Sequence, residues 1–186
     1  MKKPLIIVGI IIVLIGLYVG ATYNRLVTSG LAVDTQWAQV DTVLERRFDL
    51  IPNVEASVKG IFNQEQKVFG DLAAARTHYA GASSVGEKVA AANDFQGAVG
   101  RLLLVMENYP QLRSIEAVNS LIVELEGSEN RISVERNKYN ELVGAYQGLT
   151  KRFPSSLIAS LFNFETKDFF QAAAGATTAP KVDLVN

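Results

Sequence analysis

From Pro4 to Asn24 no position carries a charge, and the run PLIIVGIIIVLIGLYVGATYN is apolar on all sides rather than on one. At 1.5 Å rise per residue, a helix of about 20 such residues crosses roughly 30 Å, the thickness of a bilayer's hydrocarbon core. Lys2 and Lys3 precede the run, Arg25 follows it, and Tyr18 and Tyr23 stand toward its end, where an aromatic belt would meet the interface. A cleaved leader ending near Val19-Gly20-Ala21 is the competing reading. The run is longer and richer in Ile and Val than the apolar core of such leaders, so a retained anchor over 4–24 is expected.

Past the anchor the pattern becomes one-sided. Val33, Trp37, Val40, Leu44, Arg47, Ile51, Val54, Val58, Ile61, Glu65, Val68, Leu72, Ala75 and Tyr79 follow one another in steps of alternately four and three. That period predicts a helix with one face packed in a bundle. Pro52 falls inside the stripe. Either the helix kinks there, or it ends near Asp49 and a new one opens around Pro52. Residues 79–84 read as a turn, with Ser84 and Glu87 spaced for a capping box on a helix that runs to about Glu107. Its apolar positions are Val89, Phe95, Val99, Leu102, Leu103 and Met106. Asn108-Tyr109-Pro110 ends it.

A third long helix is predicted from near Ser114 to the Phe153-Pro154 stop. Its stripe is Ile115, Val118, Ile122, Leu125, Glu129, Ile132, Arg136, Tyr139, Val143 and Tyr146. A short apolar helix over Leu157–Phe162 and another helical piece over Glu165–Ala174 follow. No strand-type alternation occurs. The expected fold is all-α: residues 1–3 as a short tail, 4–24 as a transmembrane helix, 25–174 as an up-and-down bundle of the four-helix type, and 175–186 as a flexible tail.

Composition narrows the chemistry. With 18 Lys+Arg against 19 Asp+Glu, the net charge is -1, which offers no basic excess for nucleic acid. The absence of cysteine excludes disulfides, thiolate metal sites, cysteine nucleophiles and lipidation at a Cys after the apolar run. The one histidine, His78, stands near a helix C-terminus, where a structural role is the expectation. Glu126 and Glu129 share a helix face, but no Glu-x-x-His accompanies them, so no di-metal bundle site is indicated. No phosphate-binding glycine loop or Gly-x-Ser-x-Gly is present. No cofactor is expected.

Four charges fall on the inward stripes: Arg47, Glu65, Glu129 and Arg136. They form a candidate polar core layer, read first as paired charges that fix register and second as a ligand or proton site. Arg46 reads as the solvated neighbour of Arg47, and Trp37 as core. Leu157, Ile158, Leu161, Phe162, Phe164, Phe169 and Phe170 make a dense apolar patch. It either packs across the bundle end or touches the bilayer or another subunit.

Seven stretches occur in order along the chain: YNRLV at 23–27, WAQVD at 37–41, RRFDLIPN at 46–53, ENYP at 107–110, LEGSENRI at 125–132, RNKYN at 136–140 and FPS at 153–155. With these the chain resembles the LemA family over nearly its whole length. It departs at Phe48, where the family pattern has His, which puts in doubt any histidine chemistry there. The resemblance implies a bacterial membrane protein with one N-terminal helix and a soluble four-helix bundle. It implies no catalytic residues.

Lys2, Lys3 and the terminal amine favour an N-terminus in the cytoplasm and a bundle outside the inner membrane. The resemblance implies the reverse orientation, and both stay open at this point. The expected function is a membrane-anchored scaffold or interaction protein of the cell envelope, not an enzyme. Its partners would be the lipid bilayer, other copies of itself and other membrane proteins. The alternative is a sensory, ligand-binding bundle that signals through a separate partner.

Overall fold

A computed structural model describes residues 2–52, 66–108 and 116–171. Every regular element among them is helical: α1 (Lys2–Phe48), α2 (Gln66–Gly81), α3 (Val85–Asn108), α4 (Glu116–Lys151) and α5 (Ser155–Leu161). The all-α expectation holds.

α1 is one helix of 47 residues that carries both sequence patterns. Its N-terminal part is long and apolar enough to cross a membrane, with a mean hydropathy of 2.8 in its most apolar window. The large side chains from Leu5 to Leu17 are all exposed. α1 stops at Phe48; Asp49 and Leu50 form a turn, and helix resumes at Ile51–Pro52. The Leu50 N–H donates to the Arg47 carbonyl at 3.4 Å, tightening the last turn. The chain therefore breaks rather than kinks. Pro52 falls in a first helical turn, where its missing N–H removes no bond. Val54, Val58, Ile61 and Glu65 lie outside the described residues.

α2 and α3 pack against each other across a short turn. The capping box forms at the start of α3. The Ser84 N–H donates to Glu87 Oε2 at 3.1 Å, and the Glu87 N–H donates to Ser84 Oγ at 3.2 Å. Ser83 adds its own N–H to the same carboxylate at 2.8 Å. The backbone N–H groups of Ser83 and Ser84 hold the Glu87 carboxyl below its ordinary pKa.

Contacts divide the chain into two units, and the division falls inside α1 and inside α4 rather than at loops. One unit is Met1–Asp41 with Ser133–Phe169; the other is Thr42–Ile132 with Phe170–Asn186. In the second unit Leu44, Phe48, Leu72, Ala75, Tyr79, Phe95, Leu102, Leu125 and Ile132 are buried. Phe48 is central, with ring centroids 4.4 Å from Tyr79 and 4.5 Å from Phe95.

In the first unit α4 runs antiparallel to α1. Gln36 Nε2 donates to Glu135 Oε2 at 2.6 Å, Trp37 meets Tyr139 edge-on at 5.3 Å, and Gly30 faces Tyr146. A Cβ at position 30 would stand 3.4 Å from the Tyr146 ring, an ordinary van der Waals contact. Leu26, Val33, Val40, Tyr139, Val143 and Tyr146 form the interior. The expected stripe is confirmed at most positions. Trp37 is only half-buried, and Leu121 takes the inward place expected of Ile122.

After α5 the chain reverses at Asn163, whose φ of 54° lies in the left-handed region that asparagine tolerates. The helical piece expected over Glu165–Ala174 does not form over 165–171, which is extended; 172–174 lie outside the described residues. The reason is a set of side-chain donors on α4. Tyr146 Oη donates to the Glu165 carbonyl at 2.9 Å, Gln147 Nε2 to that of Lys167 at 2.8 Å, and Tyr139 Oη to that of Asp168 at 2.9 Å.

Seven residues of helix between the two tyrosines rise about 10 Å, and three residues of extended chain cover about the same distance. An extended strap thus satisfies both buried hydroxyls, which a helix would not. Lys167 Nζ also binds Asp34 at 2.7 Å.

Burial, together with the Asp168 and Asp34 carboxylates, pushes the Tyr139 hydroxyl up to about 12 from its ordinary 10.0. Burial raises Tyr146 as well. A raised folded-state value favours the protonated hydroxyl. Its stabilisation is complete below pH 10 and is lost as pH rises toward 12. Tyr139→Phe should cost about 1 kcal/mol at neutral pH. It should also flatten the alkaline fall in stability, as read by denaturant melts of the detergent-solubilised protein across that range.

Candidate functional site

A charge on an inward stripe must be paired or neutralised, because removing it from water costs several kcal/mol. Arg47, one residue before the end of α1, is such a charge, with its side chain 6% exposed. Its Nη1 donates to Glu129 Oε2 at 2.7 Å, and Glu129 is 43% exposed. The guanidinium carbon also lies 5.5 Å from the centroid of the Phe95 ring. Desolvation lowers the Arg47 pKa, and the attraction and hydrogen bond of Glu129 work against that fall. Arg47 Nε is buried with no hydrogen-bond partner.

Beside this pair opens a cleft of about 550 Å³, lined by Thr42, Arg46, Arg47, Glu124, Ser128 and Arg131 among others. Among its described lining residues are three arginines and one carboxylate, and Arg47 is already paired with Glu129. His78 lies on the surface, its Nδ1 3.7 Å from Asp94 Oδ2, with both side chains more than half exposed. Among the described residues no group of three or more His, Cys, Asp or Glu is arranged to hold a metal ion.

Of the four charges expected in one layer, the structure brings together Arg47 and Glu129. Arg136 stands seven residues further along α4, half-buried and in the first unit, and Glu65 lies outside the described residues. Arg46 is exposed, as expected of a solvated neighbour.

The apolar patch divides. Ile158 and Phe170 are buried at 6% and 4% exposure, whereas Leu157 and Leu161 are 64% and 72% exposed. Phe162 and Phe169 are exposed and Phe164 is half-buried. Phe162 and Phe164 both meet Tyr23 edge-on, at 4.9 and 5.6 Å. Ile158 and Ala159 pack with Leu26, and Val19, Leu149 and Phe164 rest against this cluster. Phe153, 80% exposed, belongs with the outer residues. In sequence Phe153 is visible only as part of the Phe153-Pro154 helix stop. A second cleft, of about 680 Å³, brings Arg25 and Arg152 to the same end of the unit.

Residues 36–184 match the LemA family. The chain belongs to the LemA family. Among curated proteins this LemA-family chain is similar to Magnetosome protein MamQ 1 and MamQ 2 of Paramagnetospirillum magneticum. Each is 29% identical over 84 residues, which is 45% of this chain and 31% of the relative. It is also similar to Magnetosome protein MamQ of Magnetospirillum gryphiswaldense, at 25% identity over 84 residues. The chain thus spans under a third of the length of the curated relatives it matches, at 31%. Neither the family description nor these names states an enzymatic activity. The family match opens on the bundle part of α1 and leaves the apolar span outside it.

The Arg47–Glu129 pair makes an asymmetric prediction. Glu129→Gln leaves a buried guanidinium without its counter-charge and should cost about 2 kcal/mol, less than the ~3–5 kcal/mol of a fully buried pair, because Glu129 is partly solvated. Arg47→Met replaces the charge by an apolar chain of similar length and should cost under about 1 kcal/mol. Denaturant melts of the two variants check the order.

Proposed function

We propose that this LemA-family protein is a single-pass, membrane-anchored scaffold of the bacterial cytoplasmic membrane, which self-associates and catalyses no reaction of its own. The carrying observation is that the apolar span and the first bundle helix are one helix, Lys2–Phe48, with no break between them. A span in the bilayer then holds the bundle at the membrane surface without a linker. Such an arrangement suits a protein that organises neighbours, whether copies of itself or other membrane proteins. The exposed Val123 and Leu104, at 62% and 61%, support apolar contact with further chains.

As for orientation, Arg152 stands near Arg25 on the bundle side of the span. The cation excess of Lys2, Lys3 and the terminal amine, which favoured an outward bundle, is therefore offset. Either side of the membrane suits the chain.

A second reading is favoured by one observation. Arg47 Nε is buried and unpartnered beside the 550 Å³ cleft. A carboxylate or phosphate ligand that reached it would satisfy that donor, and the protein would then report ligand to a partner. A small anion that raises the melting temperature of the native chain but not of Arg47→Met would favour this reading.

The test of the scaffold reading is the mass of the full-length protein in nanodiscs or mild detergent. The expected result is a multiple of the 20.2 kDa chain. A strict monomer across a tenfold concentration range would contradict self-association.

A further inference from the structure

α5 is apolar on two opposite sides. Its inner side is accounted for by Ile158 and Ala159 against Leu26, with Val19 and Phe164 packed around them. Its outer side is not: Leu157 and Leu161 stand one turn apart, 64% and 72% exposed, with Phe153 just before them at 80%. Three large apolar side chains so exposed on a nine-residue stretch are costly in water.

Their place along α1 identifies what covers them. A crossing of the hydrocarbon core takes about 20 residues, so a span that begins at Pro4 leaves it near residue 24. α5 and the turn after it touch α1 at Val19, Tyr23 and Leu26, on both sides of that level. Thr22, on the same face, is buried at 8% exposure. The element therefore reaches about 7 Å below the boundary, within the ~5–10 Å depth of helices that lie in a membrane interface. The charges agree with this level. Lys151 and Arg152 immediately precede Phe153, both exposed, and Arg152 lines a cleft with Arg25. Cations at the rim of an apolar ridge match headgroup phosphates.

We propose that Phe153, Leu157 and Leu161 insert into the bilayer interface beside the span, so that α5 is a second membrane contact docked on the first. It rests on the reading of 4–24 as a transmembrane helix. The ridge and the span then fix the tilt of the bundle on the membrane, since two points of contact replace one.

The natural absence of cysteine makes the test direct. Single spin labels are placed at Leu157→Cys, Leu161→Cys, Ile11→Cys and Asn137→Cys in the full-length protein, in phosphatidylcholine vesicles with a third phosphatidylglycerol. Collision with oxygen and with a water-soluble nickel chelate is then measured. The Ile11 label should read as hydrocarbon and the Asn137 label as water. Labels at 157 and 161 should show an oxygen-to-nickel ratio several-fold above that at 137 and below that at 11. If 157 and 161 read as water while 11 reads as hydrocarbon, the interfacial ridge is overturned and the span stands. If 11 also reads as water, both are overturned. Low collision with both reagents at 157 and 161, with spin–spin broadening, would overturn the lipid contact in favour of a second copy.

Discussion

The structure depends on one helix having two environments. Up to about residue 18, α1 is apolar all round and exposed; from Val19 onward a single stripe is covered by the rest of its unit. Because the helical repeat continues unbroken, the inward face of Leu26, Val33 and Val40 keeps a constant phase with Val19 and Thr22. The last turns of the apolar segment therefore also serve as core. α4 returns antiparallel along that face, and α5 closes over its start. The first unit is in this sense built on the end of the apolar segment, so a change to residues 19–26 would disturb its packing.

Polar groups inside the units are handled by pairing rather than by exclusion. The two tyrosine hydroxyls on α4 find carbonyls on an extended strap, the Ser84–Glu87 box closes the start of α3, and Arg47 takes Glu129. Among the described residues, Arg47 Nε is buried without a partner. A buried donor of this kind lowers stability, and it lies beside the cleft that carries the ligand-binding reading.

Much of the fold was legible from period alone. Steps of three and four predicted the buried Val33, Val40, Leu44, Ile132, Tyr139, Val143 and Tyr146, and Ser84 with Glu87 predicted a helix start. The burial of Phe48 was not legible, since it sits one position past Arg47 on a stripe already assigned. Its inward turn follows from rings on α2 and α3 that are distant in sequence. The strap over 165–171 is not legible in the sequence around it, because local composition does not reveal that Tyr139 and Tyr146 need acceptors. The signal was present: two tyrosines seven apart on an inward stripe must donate to something when buried.

At the candidate site, the pairing of Arg47 with Glu129 was legible as opposite charges on two stripes. That Arg136 would fall in the first unit was not, since stripe position gives a face and not a partner. The apolar patch was legible as a cluster. Its division into inner and outer residues needed Tyr23 and Leu26 on α1.

A scaffold held at the membrane requires that the apolar segment remain in the bilayer as part of the mature chain. The most direct measurement is the intact mass of the protein recovered from alkaline-carbonate-washed membranes. The prediction is a chain in the membrane pellet whose mass includes residues 4–24. A chain that begins after Ala21 and is released into the carbonate supernatant would show the segment to be a removed leader, and would contradict the account.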